Sequence, residues 1–152
     1  MQIFVINLPS AIERRQLQKD QLTSLGLEYK IIDAISISDI NENTYKKHYF
    51  DWQRPLIKTE VACYFSHRSA WERVIKSREP ALILEDDAIV SKTLPQLLVN
   101  LNNIKNTDLI NLENRSRKKF VSNSYLDIGC NSKLLRLYQD RTGAAGYILW
   151  PS

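Results

Sequence analysis

Short apolar runs recur along this 152-residue chain and are separated by polar or amphipathic segments. We predict strands at residues 2–8, 29–32, 81–84, 108–112, 134–138 and 146–150, because each run is short and bounded by polar or turn-forming residues. The run Ala81–Leu84 lies between Pro80 and a charged segment and has no polar face. That pattern is typical of a strand buried on both sides.

Capping signals and amphipathic patterns predict helices between these strands. Ser10 and Glu13 match a capping box, so we predict a helix from there to about residue 25, followed by Gly26. Thr59 is the predicted N-cap of a helix with an apolar face to residue 75, and residues 94–104 form a third helix. Residues 36–52 are polar and predicted to be irregular with one short helix, and residues 115–132 show no clear periodicity. The alternation predicts a single α/β domain with a mostly parallel central sheet.

Three consecutive carboxylates, Glu85-Asp86-Asp87, follow the predicted buried strand directly. Ligands of open α/β sheets bind beyond the carboxyl ends of strands. Adjacent carboxylates there repel one another unless a cation lies between them, and carboxylate oxygens suit Mg²⁺, Mn²⁺ or Ca²⁺. The triplet is therefore consistent with a site for a hard divalent cation. An acidic turn that faces water explains the motif alone equally well.

Composition narrows the class of protein. Charged residues make up 25% of the chain, apolar residues 43%, and the net charge is +4. A basic cluster, Arg115, Arg117, Lys118 and Lys119, suits a solvated loop, or contact with phosphate groups or an anionic membrane surface. Aromatic residues do not interleave with these basic residues, which argues against nucleic-acid binding. Two cysteines predict neither a disulfide framework nor a cysteine-rich zinc site, and we expect a reducing, cytoplasmic setting without a signal peptide or membrane span.

Three further segments carry candidate chemistry. Glu60, Cys63 and His67 share one face of the predicted second helix, and Cys63 and His67 have the i, i+4 spacing of metal ligands. We favour a buried thiol and a hydrogen-bonded imidazole over a metal there. Arg14 and Arg15 follow the first strand and suit either a diphosphate or solvent. Residues 143–146 form a small-residue turn, which permits close approach to a ligand or tight packing.

Together these segments resemble a known family. Residues 6–8 (INL) and 13–15 (ERR) resemble the opening of family 25 glycosyltransferases, which include bacterial lipooligosaccharide galactosyltransferases and collagen-modifying relatives. Residues 60–67 (EVACYFSH) resemble the family's E-x-x-C-x-x-S-H segment, and residues 83–88 (ILEDDA) its acidic motif. Residues 143–147 (GAAGY) are similar to its G-T-A-G-Y segment, with alanine in place of threonine. The four matches occur in the family's order and span nearly the whole chain.

The resemblance implies a GT-A fold, a Rossmann-like domain that binds UDP-galactose or a similar UDP-sugar. It implies transfer of the sugar, with inversion, to a saccharide acceptor on a glycolipid. Asp87, with Glu85 or Asp86, would hold Mn²⁺ or Mg²⁺ on the donor diphosphate. Other donor contacts would come from a set of residues near the strand ends and the glycine turn, namely Asn7, Leu8, Arg14, Asp33, Asp86, Gly143 and Gly146.

The resemblance leaves the catalytic base open. Glu60 is the candidate base, and Asp87 the other candidate catalytic residue. Family members usually continue past the G-x-x-G-Y segment, so we expect the acceptor part to be missing. Because the implied acceptor is a glycolipid, we also expect peripheral contact with the inner membrane surface. A non-catalytic sugar-nucleotide-binding domain is the main alternative. A signalling receiver domain is disfavoured, since its acidic pair follows the first strand, where this chain has Asn7 and Leu8.

Overall fold

The protein is an α/β domain, seen in a computed structural model that describes residues 1–102, 104–114, 118–140 and 143–151. The strands are β1 (Gln2–Asn7), β2 (Lys30–Asp33), β3 (Ala81–Glu85), β4 (Leu109–Asn111), β5 (Phe120–Asp127), β6 (Lys133–Gln139) and β7 (Gly146–Leu149). The helices are α1 (Ile12–Ser24), α2 (Glu42–His48), α3 (Lys58–Ser77) and α4 (Leu94–Leu101), with a 3₁₀ turn at Ile37–Asp39.

The central sheet has five strands in the order β2-β1-β3-β7-β4. Strand β1 pairs in parallel with both β2 and β3, whereas β7 runs antiparallel to β3 and β4. Four of the five strands therefore point the same way, which confirms the predicted mostly parallel sheet. Because β1, β2 and β3 end at the same edge, the residues after each strand are brought together there.

The sheet is covered on both faces, as the apolar run of β3 predicted. Alternate residues of β1 and β3 pack on opposite sides, since successive side chains of a strand point to opposite faces. One side packs against α1 and α4, and the other against α3. The first cluster includes Val5, Leu22, Leu82, Leu84 and Leu101, and the second Phe4, Ile6, Ala70, Val74 and Ile83. Within the described residues, no helix combines the length and apolar character that crossing a membrane requires.

The helix ends correct two capping predictions. Helix α1 starts after Ala11 without a side-chain cap, so the predicted box of Ser10 and Glu13 is wrong. Its other end follows the prediction: Gly26 has φ +66°, and its N–H and that of the next residue bond back into the last turn. Helix α3 begins at Lys58, and its N-cap Ile57 lies two residues before the expected N-cap Thr59.

Strands β5 and β6 form a separate two-stranded hairpin, of which the sequence predicted only the second strand. The register between Val121 and Tyr125 of β5 spans four residues, while their partners Leu137 and Leu135 lie two apart. This irregularity breaks the alternation by which a strand is recognised. Of the basic cluster, Lys119 forms an ion pair with an aspartate at 3.0 Å, and residues 115 and 117 lie outside the described residues.

Candidate functional site

A cavity of about 530 Å³ opens where β1, β2 and β3 end. Its walls come from the loops after β1 and β2, the first turns of α3 and the acid triplet. The backbone N–H of Ile35 donates to Ser66 Oγ at 2.8 Å, which fixes the loop after β2 against α3. The lining residues are Ile6, Leu8, Ser10, Arg14, 34–38, Thr59, Ala62, Cys63, Ser66, His67 and Glu85–Asp87. The cavity lies at the sheet edge where the resemblance places the donor.

The three carboxylates of the triplet have different surroundings. Asp86 is buried, and its two oxygens accept from Asn7 Nδ2 at 2.8 Å and from Arg14 at 3.1 Å. Glu85 is half-buried and binds His67, whereas Asp87 is exposed and faces the cavity. Asp86 is therefore engaged in holding the site together. All three residues line the cavity, and the oxygens of Glu85 and Asp87 are donors of the kind that suits Mn²⁺ or Mg²⁺.

Asn7 supports the acid triplet from beneath the cavity. This residue is 1% exposed and does not line the cavity wall. Its amide donates to Asp86 and to the carbonyl of Ala11 at 3.1 Å, and its oxygen accepts from Arg15 Nε at 2.8 Å. Arg15 then pairs with Asp33 at 2.9 Å, outside the cavity lining. The two arginines after β1 therefore have different roles. Arg14 lines the cavity, whereas Arg15 binds side chains at the ends of β1 and β2.

Two glutamines of α1, which the sequence analysis missed, hold the segment after the triplet. Gln18 is fully buried, and its Nε2 donates to the carbonyls of Ala88 at 2.7 Å and Asp86 at 3.2 Å. Gln21 donates to the same Ala88 carbonyl at 3.1 Å and accepts from the N–H of Val90. Gln18 lies one turn before the buried Leu22, so a polar residue on the apolar stripe was the signal.

A chain of hydrogen bonds runs from the core to Glu85. Trp71 Nε1 donates to the Tyr147 hydroxyl oxygen at 2.7 Å, and that hydroxyl lies 2.8 Å from His67 Nδ1. His67 Nε2 lies 3.1 Å from Glu85 Oε1. Burial raises the pKa of Tyr147 far above its ordinary value, so the phenol stays neutral. These hydrogen bonds therefore orient the imidazole of His67, which in turn holds the carboxylate of Glu85 at the cavity wall.

The histidine carries a proton near neutral pH. Burial alone lowers the pKa of His67, but hydrogen bonds and charge interactions with Cys63 and Glu85 outweigh it and raise the pKa to about 9. His67 is buried and hydrogen-bonded as predicted. The expected buried thiol is wrong, because Cys63 is exposed and lines the cavity. The reason is its position on α3, since the helix face that carries Cys63 looks onto the open edge of the sheet rather than into the core.

Glu60 has a structural role at the start of α3. Its carboxylate accepts from the N–H of Ile57 at 3.0 Å and pairs with both terminal nitrogens of Arg54. The hydrogen bond to Arg54, with that to Ile57, lowers the pKa of Glu60 to about 2. A general base works best with a pKa near the working pH. Glu60 also lies outside the cavity lining, so the geometry argues against it as the base.

The two glycines of the small-residue turn are explained by packing within the chain. A Cβ at Gly143, which has φ +124°, would lie 1.9 Å from a carboxylate oxygen of Glu113. A Cβ at Gly146 would lie 3.3 Å from Leu84 on the neighbouring strand. A second cavity of about 370 Å³ is lined by Gly146, Glu113 and the segment after the triplet, and Asp87 lines both cavities. Donor contacts from Gly143 and Gly146 stay predictions.

The structure thus brings together Leu8, Arg14, Glu85, Asp86 and Asp87 at one cavity, with Asn7 beneath them. Asp33 and Glu60 lie near this edge of the sheet but outside the lining. The metal-binding and catalytic roles predicted for these residues stay predictions.

Comparison with known proteins places the sequence among glycosyltransferases. The sequence matches glycosyltransferase family 25 (LPS biosynthesis protein) over residues 1–152. It is 30% identical to procollagen galactosyltransferase 1-B of Xenopus laevis over 57% of this chain and 16% of the relative. It is 30% identical to probable inactive glycosyltransferase 25 family member 3 of Rattus norvegicus, over 57% of this chain and 17% of that protein.

A bacterial relative is covered more fully. The chain is 24% identical to lipooligosaccharide biosynthesis protein lic2B of Haemophilus influenzae, over 96% of this chain and 58% of the relative. The chain therefore spans less than a fifth of the two animal relatives and somewhat more than half of the bacterial one. Since the match to the family extends over all 152 residues, the chain belongs to glycosyltransferase family 25.

Proposed function

We propose that this chain is a GT-A-type donor-binding domain that transfers a sugar, galactose in the first instance, from a UDP-sugar to a saccharide hydroxyl with inversion. The single observation that supports this most is the cavity at the carboxyl ends of β1, β2 and β3, lined by Arg14, Glu85 and Asp87. A saccharide carried by a glycolipid is the proposed acceptor, as in the resemblance to lipooligosaccharide enzymes. Such an acceptor would bring the chain to the cytoplasmic surface of a membrane.

The side chains supply complementary parts of a diphosphate site. Arg14 is the cation that faces the cavity from α1, and Asp86 holds its guanidinium at 3.1 Å. A guanidinium suits phosphate oxygens, and its bond to a fixed carboxylate reduces the freedom lost on binding. The loop at 34–38, which Ser66 fixes, also lines the cavity and carries two serines beside its isoleucines. These features favour a nucleotide diphosphate over a neutral ligand.

A divalent cation suits the carboxylates of Glu85 and Asp87 at the cavity wall. Glu85 and Asp87 would hold Mn²⁺ or Mg²⁺, because both face the cavity and hard cations prefer oxygen ligands. Such an ion, when bound, neutralises charge that develops on a diphosphate leaving group. Asp86, Asn7 and Arg14 then act by fixing the strand end on which these two carboxylates lie. Asp87 lines both cavities, which supports its proposed role beside both donor and acceptor.

A second candidate function is donor binding without transfer. One argument for it is the relative that is described as probable inactive. The other is that Glu60, the candidate base, has a pKa of about 2 and lies outside the cavity lining, which does not suit a general base. The two functions differ in one measurable property: an enzyme releases UDP from the donor in the presence of acceptor or water, whereas a binding domain does not.

The first experiment compares nucleotide sugars by thermal shift, with and without Mn²⁺. A ligand at about 100 times its Kd stabilises the folded state by about 2.7 kcal/mol, so true donors are readily separated from non-binders. We expect UDP-sugars to stabilise the chain more than GDP- or CMP-sugars. Equal stabilisation by all three would contradict the uridine assignment, and binding without UDP release would favour the second function.

A further inference from the structure

Three side chains of different chemistry converge on one wall of the cavity. Cys63 Sγ, a ring nitrogen of His67 and a carboxylate oxygen of Glu85 all lie within 4.8 Å of one another. Cys63 and His67 come from successive turns of α3, and Glu85 ends β3, so two packed elements define the cluster. The cluster therefore joins the helix to the end of the central strand at the cavity wall.

The imidazole is held in the orientation that metal ligands require. Metal-bound histidines commonly use one ring nitrogen for the ion and the other for a hydrogen bond that fixes the ring. His67 Nδ1 lies 2.8 Å from the Tyr147 hydroxyl oxygen, which Trp71 also binds at 2.7 Å. The opposite nitrogen, Nε2, faces Glu85 at 3.1 Å. A cation at Nε2 would replace only the proton on that nitrogen and would leave the contact with Tyr147 unchanged.

We propose that Cys63, His67 and Glu85 form a binding site for a thiophilic divalent cation, Zn²⁺ in the first instance. Thiolate, imidazole and carboxylate are all ligands of Zn²⁺, and three protein ligands with an open fourth position are typical of accessible zinc sites. Cys63 and Glu85 both line the cavity, so the fourth position faces the cavity interior. This site does not rest on the proposed function.

Geometry and charge agree with this assignment. Zinc–ligand distances of about 2.0 to 2.3 Å place tetrahedral ligands roughly 3.3 to 3.7 Å apart, so rotation of two exposed or half-exposed side chains closes the cluster. Zn²⁺ binds thiolate and carboxylate, so Cys63 and Glu85 would supply two negative charges to a divalent cation.

The site differs in chemistry from the proposed Mn²⁺ or Mg²⁺ site. Hard cations avoid thiolates, whereas Zn²⁺ and Co²⁺ accept them. Glu85 belongs to both sites, so Zn²⁺ bound to Cys63 and His67 withdraws one carboxylate from the hard cation. The two metals are therefore expected to compete at the cavity.

Cobalt absorption tests the assignment on the full chain, without any activity measurement. Co²⁺ bound to a thiolate produces a charge-transfer band in the near ultraviolet, and added Zn²⁺ should abolish it at one equivalent. The band should occur in the wild type and in Cys130→Ser, which removes the other exposed cysteine. It should be absent in Cys63→Ser. Because Cys63 is exposed, this variant should remain folded, which circular dichroism checks.

Zinc titration in excess Mg²⁺ gives the second measurement. We expect one Zn²⁺ per chain in the wild type, and at least tenfold weaker binding in Cys63→Ser and in His67→Gln. Absence of the cobalt band in the wild type would overturn the proposal. An equal zinc affinity in the wild type and folded Cys63→Ser would do the same, and would establish the cluster as a hydrogen-bonded contact without metal.

Discussion

Replacement of Asn7 by leucine tests whether this buried amide holds the acid triplet in place. Leucine has a similar size but no hydrogen-bonding atoms. Asn7 makes three hydrogen bonds, to Asp86, to the Ala11 carbonyl and from Arg15. The two with charged partners are each worth about 1.5 to 3 kcal/mol and the third about 0.5 to 1.5 kcal/mol. Since Arg14 still binds Asp86 and Arg15 regains water, we expect the free energy of unfolding to fall by about 3 to 5 kcal/mol.

Urea denaturation followed by circular dichroism and tryptophan fluorescence measures this change. The slope of the free energy against urea should stay constant, because the folded state keeps its compactness. Gln16→Leu is the matched control, since its amide binds the exposed Asp20 and surface changes usually stay within about 0.5 kcal/mol. A loss below about 1 kcal/mol for Asn7→Leu would refute the reasoning, because the network would then contribute little beyond what water replaces.

Three further substitutions test individual contacts. Tyr147→Phe leaves the buried imidazole of His67 and the half-buried indole of Trp71 without their shared partner, so calorimetry should show a loss of about 2 to 3 kcal/mol. Glu60→Gln removes a carboxylate with a pKa of about 2, below its ordinary 4.5. Its stabilising effect is complete above the ordinary pKa, so the melting temperatures of variant and wild type should differ near pH 7 and converge as the pH falls from about 4.5 towards 2. Gly143→Ala should destabilise far more than Gly26→Ala, because both have positive φ but only the first adds a clash, with Glu113; equal melting temperatures would contradict this.

The central sheet could be predicted because the local sequence pattern indicates its strands. The run Ala81–Leu84 is apolar on both faces, and the structure buries it between α3 and the pair α1 and α4. Gly26 follows α1 as predicted, since glycine adopts its φ of +66° without the steric cost that a Cβ atom would add. These features depend on residues close in sequence, where propensity and periodicity act.

Helix starts and the hairpin depended on information that the local sequence lacks. Ser10 carried a cap signature, yet the chain turns at Ala11, whose carbonyl is bound by Asn7 from β1. Strand β5 was missed because its register against β6 is irregular and all but one of its residues are exposed. In both cases a tertiary contact or a bulge replaced the regular pattern.

The sequence indicated the sheet edge at which the triplet lines a cavity, but not the contacts within that region. The triplet at the end of β3 marked the right edge of the sheet. The sequence could not show that Asp86 binds Asn7, 79 residues away, or that His67 meets Tyr147, 80 residues away. Cys63 was misjudged for the same reason, because its exposure depends on how α3 borders the cavity. Contacts between residues that are far apart in sequence can be identified only once the fold is known.

Calorimetric titration of UDP-galactose tests the central claim, that the triplet at the end of β3 is a metal-assisted donor site. The titrations use the wild type, Asp87→Asn and the control Asp20→Asn on the exposed face of α1, each with and without Mn²⁺. We predict Mn²⁺-dependent binding in the wild type and the control, and at least tenfold weaker binding in Asp87→Asn with the fold intact. Measurable wild-type binding that is indistinguishable from that of Asp87→Asn would contradict the account.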